Sequence, residues 1–130
     1  MTVSRRTVLT AALALAAGSG AAAAAEAKFT MEAFQAAQAA GRAILVEVHA
    51  DWCPVCARQK PILSGLSAEP AFAGVLRLIV DFDTQKDVLR TFNVARQSTL
   101  IAFKGTTERA RSVGDTNAAS IRALVQSAVS

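Results

Sequence analysis

The 130-residue sequence predicts an α/β fold: a central mixed four-stranded sheet, parallel in its core, closed by a C-terminal antiparallel hairpin and flanked by helices. Three observations carry that expectation. Apolar runs of strand length alternate with stretches of helical periodicity from about residue 28 onward. The run at residues 44–50 is apolar enough for a central strand covered on both faces. The last two strand-like runs flank a turn containing Gly105, so they pair as a hairpin.

Residues 1–27 stand apart from this pattern. Residues 4–10 carry the pair Arg5-Arg6, residues 8–17 are a short apolar run, and an alanine-rich tract follows. A basic start, an apolar middle and small residues at A-x-A positions make an export signal. Ala23 and Ala25, or Ala25 and Ala27, place the cut, which leaves a mature chain of 103 to 105 residues and a domain at 28–130. An apolar run this short falls below the roughly 20 residues that cross a bilayer core, so no stable membrane insertion is expected after cleavage. The alternative is an uncleaved N-terminal anchor. The paired arginines resemble the twin-arginine export signal, with Val8 where that motif usually has Phe. A general secretory signal also can begin this way, and both routes lead to the periplasm.

Within 28–130, Thr30 caps a helix predicted over about 31–40, with Gly41 at its stop. After the strand at 44–50 comes a turn with two cysteines and then a helix over about 54–66. Residues 75–82 read as a second buried strand, and 84–92 as a short helix with Val88, Leu89 and Phe92 on one side. The hairpin strands are 99–104 and 109–113. From about Asn117, the residues Ile121, Leu124, Val125 and Ala128 recur at helical spacing. The order αβαβαββα gives right-handed crossovers in one domain.

Charge narrows the partners. The whole chain is +4; residues 1–27 hold Arg5, Arg6 and Glu26, and the rest carries 12 Lys and Arg against 9 Asp and Glu. That surplus is spread out, with one Trp and no Tyr for stacking, which argues against nucleic acid.

Cys53 and Cys56, in Asp51-Trp52-Cys53-Pro54-Val55-Cys56, are the two cysteines of the chain. They follow a predicted strand at its carboxyl end, where sites of α/β sheets lie. Pro54 suits the first helical position, so Cys53 faces the unpaired N–H groups of the helix start. Those groups favour a thiolate and predict a pKa below the free value of about 8.5, which makes Cys53 the attacking nucleophile. Cys56 lies about one turn deeper and is the resolving thiol. A loop this small restrains the unfolded chain little, so a structural staple explains the pair poorly. A four-cysteine zinc site needs another pair, and His49 would complete only part of a metal site.

Glu47 interrupts the central apolar strand, where desolvation raises a carboxyl pKa. It is placed to take or supply the proton when Cys56 attacks. The alternative is an edge strand with Glu47 in solvent. His49 shares the face of Glu47 by alternation; it either lines the site or is a satisfied surface histidine, and the sequence favours neither.

These residues resemble the thioredoxin family. The stretch Ile44-Leu-Val-Glu-Val-His-Ala-Asp-Trp-Cys-Pro-Val-Cys-Ala-Arg-Gln-Lys-Pro-Ile-Leu63 is similar to the family's central strand, Trp-Cys-x-x-Cys turn and following helix, with Pro61 at the helix-kinking proline. Residues 92–105 look like the segment leading into the third strand, and Gly114 matches a glycine facing the active site. The resemblance covers about residues 28–130 and implies a thioredoxin-like fold. It places the buried acid on Glu47 and the redox pair on Cys53 and Cys56. It implies a substrate groove lined by Trp52, Pro54, Gln97, Ser98, Thr99 and Gly114. Ser98 stands where the family usually has a cis-proline, and a trans Gln97-Ser98 peptide is expected, since a cis bond there costs about 2.5–4 kcal/mol.

The leading expectation is a periplasmic thiol–disulfide oxidoreductase, more a reductase than an oxidant. It would serve disulfide-bearing client proteins and draw electrons from a membrane-embedded thiol donor. No organic cofactor is implied. Two alternatives stand beside it: a metal- or iron–sulfur-binding module using the same cysteines, with His49 or a second chain, and a non-catalytic binding domain that lost turnover through Ser98.

Overall fold

The protein is described by a computed structural model over residues 26–130. The segment expected to direct export, with Arg5, Arg6 and the alanines through Ala25, lies outside the described residues. The described residues form five strands: β1 (Glu26–Lys28), β2 (Ala43–His49), β3 (Leu76–Asp81), β4 (Thr99–Lys104) and β5 (Thr107–Val113). The helices are α1 (Met31–Ala39), α2 (Pro54–Ser67), α3 (Lys86–Thr91) and α4 (Ala118–Val129). The sheet order is β1-β3-β2-β4-β5. β1, β3 and β2 run parallel, while β4 pairs antiparallel with β2 and β5.

The expected mixed sheet is therefore there, with one strand more. The sequence predicts no strand at β1, and the expected boundary between residues 27 and 28 falls inside it. Its residues Glu-Ala-Lys carry no strand propensity of their own. Pairing with β3, Glu26 opposite Arg77 and Lys28 opposite Ile79, is what makes it a strand.

β2 sits in the middle because it can be covered on both faces. Ile44, Val46 and Val48 point to one side, where they join Leu76, Leu78 and Val80 under α1 and α3. Four phenylalanines, Phe29, Phe34, Phe92 and Phe103, close that side with tilted and edge-on ring pairs 5.1 to 5.8 Å apart. Leu45 points the other way, into a core with Leu63, Leu66, Leu100, Ile121 and Leu124. Glu47 and His49 follow Leu45 by alternation, so both face α2.

α1 begins at Thr30, whose side-chain oxygen accepts the Ala33 N–H, and ends at Gly41 with φ +68°. The Gly41 N–H donates to Gln38 O and the Arg42 N–H to Ala37 O, the paired closure that favours glycine there. α2 runs to Ser67 with Pro61 inside it. Among the described residues no helix is long and apolar enough to cross a membrane.

Candidate active site

Cys53 is the N-cap of α2, at extended backbone angles, and Pro54 follows in the first turn. The Cys53 sulfur accepts the Cys56 backbone N–H at 3.1 Å. The unpaired donors of a helix start are thus turned onto the first sulfur, as the turn's sequence predicts. The Cys56 Sγ faces the Val48 carbonyl at 3.9 Å. Both thiols are 3% exposed, in a small cluster with Ala50, against which Val55 and Phe82 pack. Burial, then the neighbouring Cys53, pushes the Cys56 thiol up to about 11, opposed by backbone hydrogen bonds from Ala50 and Ser98. A group held there is a neutral thiol at pH 7 and needs a base before it can attack.

Glu47 is 7% exposed on the central strand, which rules out an edge strand with the acid in solvent. It is not alone. Arg77 on β3 donates from Nε to one carboxylate oxygen at 2.6 Å and from Nη2 to the other at 2.8 Å. Arg77 is itself buried, and its Nη1 reaches Glu26 Oε2 on β1 at 3.2 Å and Ser67 Oγ at 3.4 Å. Desolvation raises the Glu47 carboxyl above its ordinary range, and Arg77 pulls against that rise without cancelling it. Arg77 is held above the usual guanidinium value by Glu47 and Glu26, against its own desolvation.

A cleft of about 60 Å³ joins this ion pair to the resolving thiol; Cys56, Glu47, His49, Gln59, Arg77 and Glu26 are among its walls. His49 thus does line the site on one side, while its Nε2 meets Asp51 Oδ1 at 3.1 Å. A Glu47→Gln exchange is no clean probe of proton transfer, because it strips a buried arginine of its main anion.

The loop facing the cysteines holds the other expected residues. The Gln97-Ser98 peptide is trans, and Ser98 is left-handed at φ +60°, a conformation that costs a non-glycine residue about 1 kcal/mol or more. It is held by its N–H to Val48 O at 2.8 Å and by the Gly114 N–H to its carbonyl at 3.1 Å. The Ser98 hydroxyl turns back to Gln97 O, and the Thr99 hydroxyl donates to Arg96 O at 2.7 Å. Gly114, at φ +70°, lies close enough that a Cβ there would sit 3.9 Å from the Ser98 hydroxyl. The structure thus gathers Gln97, Ser98, Thr99 and Gly114 around one turn beside Cys56. Trp52 is 57% exposed, and its indole N–H is shared between the two Asp83 oxygens at 3.2 and 3.0 Å, with the ring edge-on to Phe82.

The thioredoxin family profile matches residues 25–127. This chain belongs to the thioredoxin family. Among curated thioredoxins, that of Chlamydia muridarum is 38% identical over 71 residues, 55% of this chain and 68% of the relative. The thioredoxin of Echinococcus granulosus is 32% identical over 95 residues, 73% of this chain and 86% of the relative. A solved structure, Trxlp from Edwardsiella tarda, is 42% identical, covers 78% of this chain and 97% of its own, and superposes with a TM-score of 0.74. Thioredoxin membership supports thiol–disulfide oxidoreductase chemistry on disulfide-bearing proteins, and gives the Cys53/Cys56 pair its context.

Against that family frame, four residues of the site had no place in the sequence reading: Arg77, Glu26, Asp83 and Gln59. Arg77 carried a signal, since a guanidinium inside an apolar strand needs an anion, and Glu47 on the neighbouring strand was the one carboxylate with the same need. Gln59 carried a weaker one, as an amide on the core side of a helix. Among the described residues no group of three or more His, Cys, Asp or Glu is placed to hold a metal ion.

Proposed function

We propose that this protein is a periplasmic disulfide reductase, with Cys53 as the attacking thiol and Cys56 as the resolving thiol. The observation that carries the reading is the Cys53 sulfur at the start of α2, accepting an N–H, with a deeper thiol one turn along. The Cys53 thiolate attacks one sulfur of a client disulfide; the other client sulfur leaves as a thiolate and takes a proton. Cys56 then gives up its proton and attacks the Cys53 sulfur. The client leaves as a dithiol, and the two electrons it gained are those lost in forming the Cys53–Cys56 disulfide. An external dithiol, from a membrane-embedded donor, then reduces the Cys53–Cys56 disulfide to two thiols and is itself oxidised to a disulfide.

Glu47 receives the Cys56 proton across the shared cleft, a role favoured by the desolvation that raises its carboxyl and makes it the stronger base. Trp52, Pro54, Gln97, Ser98, Thr99 and Gly114 line the client groove. The Arg5-Arg6 segment supports export, and an exported reductase must be supplied with electrons in an oxidising compartment. The short connections between strands, with no helical insertion beyond α3 between β3 and β4, support the reductase direction over the oxidant one.

The deciding experiment is the reduction potential of Cys53–Cys56, by anaerobic equilibration with glutathione buffers and thiol trapping. A value near −250 mV fits a reductase, and one near −120 mV makes the protein an oxidant and sinks this reading. Osmotic-shock fractionation tests the address: recovery in the spheroplast interior alone would contradict export.

A further inference from the structure

Gln59 is a buried amide, 3% exposed, one turn past Cys56 on α2. Its Nε2 donates to two backbone carbonyls on separate loops, Ser98 O at 3.2 Å and Asp115 O at 2.8 Å. One loop leads into β4 and the other leaves β5. A single side chain on the cysteine helix therefore fastens both loops that face the cysteines. A primary amide suits this task because its nitrogen has two hydrogens, one for each carbonyl.

The Ser98 end of this link reaches the chemistry. Ser98 keeps its left-handed angle while its N–H goes to Val48 O, the carbonyl that the Cys56 thiol also faces. Its carbonyl takes the remaining support from Gly114 and Gln59. Without Gln59, the Asp115 carbonyl loses this donor and Ser98 keeps the Gly114 bond alone.

We propose that Gln59 is a positioning residue: it fixes the Ser98 and Asp115 loops against Cys56, and so sets how well a protein disulfide, which must seat against those loops, is reduced relative to a small disulfide, which need only reach Cys53. The inference rests on the thiol–disulfide reading above. The Ser98 N–H and the Cys56 thiol share the Val48 carbonyl, and the nearby Ser98 backbone works against the upward shift of that thiol, so a loosened loop lets Cys56 rise further. Beside Cys53 itself, the titratable and charged groups around Cys56 are Lys60 on α2, Glu47 and His49 on β2, Arg77 on β3 and Glu26 on β1; Gln59 touches none of them through a hydrogen bond.

The experiment compares the purified protein with Gln59→Met, which keeps bulk and removes both donors, and Gln59→Asn, which keeps the amide but shortens its reach. Insulin serves as the protein disulfide and Ellman's reagent as the small one. In both variants kcat/KM for insulin should fall at least about ten-fold, as displaced positioning groups do, while the Ellman's rate stays at the wild-type value. The pH midpoint for iodoacetamide alkylation of Cys56, read by peptide mass, should move upward. Insulin and Ellman's rates that move together, or an insulin rate that does not move, overturn the proposal. If Gln59→Met does not fold, the same readings on Gln59→Asn decide. A wild-type protein inert toward both disulfides defeats the exchange reading instead; the Cys56 midpoint then decides the role of Gln59, an unchanged value refuting it.

Discussion

Arg77→Met tests the electrostatics beneath the cysteines. The substitution keeps much of the apolar stem and removes the guanidinium that meets both Glu47 oxygens at 2.6 and 2.8 Å. Glu47 is then a carboxylate at 7% exposure with no cation. Removing one partner of a buried pair costs about 3–5 kcal/mol, because the other charge stays behind. In a domain of this size 1 kcal/mol moves the melting temperature by about 4–8 °C, so the loss at pH 8 should be at least about 12 °C. Burial already lifts the Glu47 carboxyl above its ordinary range, and losing Arg77 lifts it further. The folded state then holds a proton that the unfolded chain has released. Stability therefore falls as pH rises from the ordinary carboxyl range through the raised folded value, and is regained below it. Circular-dichroism melts at pH 5 and pH 8 read this directly: a large deficit at pH 8 should shrink at pH 5. The double variant Glu47→Gln/Arg77→Met, which buries no charge at this position, should be more stable at pH 8 than Arg77→Met. Equal deficits at the two pH values, or none, would refute the account.

Two further perturbations follow from the geometry. Ser98→Pro fixes φ near −65° where the backbone stands at +60°, and deletes the N–H given to Val48 O. The stranded carbonyl alone costs about 1–3 kcal/mol, so urea unfolding should show a lower midpoint; an equal or higher midpoint would mean the turn is not held as described. Phe34→Ala empties the centre of the ring cluster with Phe29, Phe92 and Phe103, and should cost about 3–5 kcal/mol with little change in the Cys53 alkylation rate, because that cluster lies across the sheet from the cysteine helix. Loss of thiol reactivity in a folded Phe34→Ala protein would show that the two faces are coupled.

What could be read from the residues alone follows from which signals are local. β4 is a run of five buried residues ending at an exposed lysine, and its expected span matches the structure residue for residue. α1 carries a cap at one end and a glycine stop at the other, so it too was legible. The position of Glu47 on a central strand came from the same local apolar pattern. Its partner did not, because Arg77 lies 30 residues away and parallel pairing, not sequence spacing, brings the two strands together. β1 failed for a related reason: three residues without propensity become a strand only through β3. The trans Gln97-Ser98 peptide was visible as the loss of a proline, but the left-handed angle at Ser98 was not, and the amide that steadies it sits on another element with no pattern of its own.

The reach of Arg77 to Glu26 makes the N-terminal edge of the domain chemically consequential. A mature chain that starts at Glu26 keeps all of β1 and both anions around the guanidinium. One that starts two residues later, at Lys28, retains a single residue of that strand and leaves Arg77 with Glu47 alone. If the expected leader is cut, the two A-x-A choices would therefore not be interchangeable trims: they would give two proteoforms, distinguishable by intact mass, in which the same cysteine pair rests on sheets of different width.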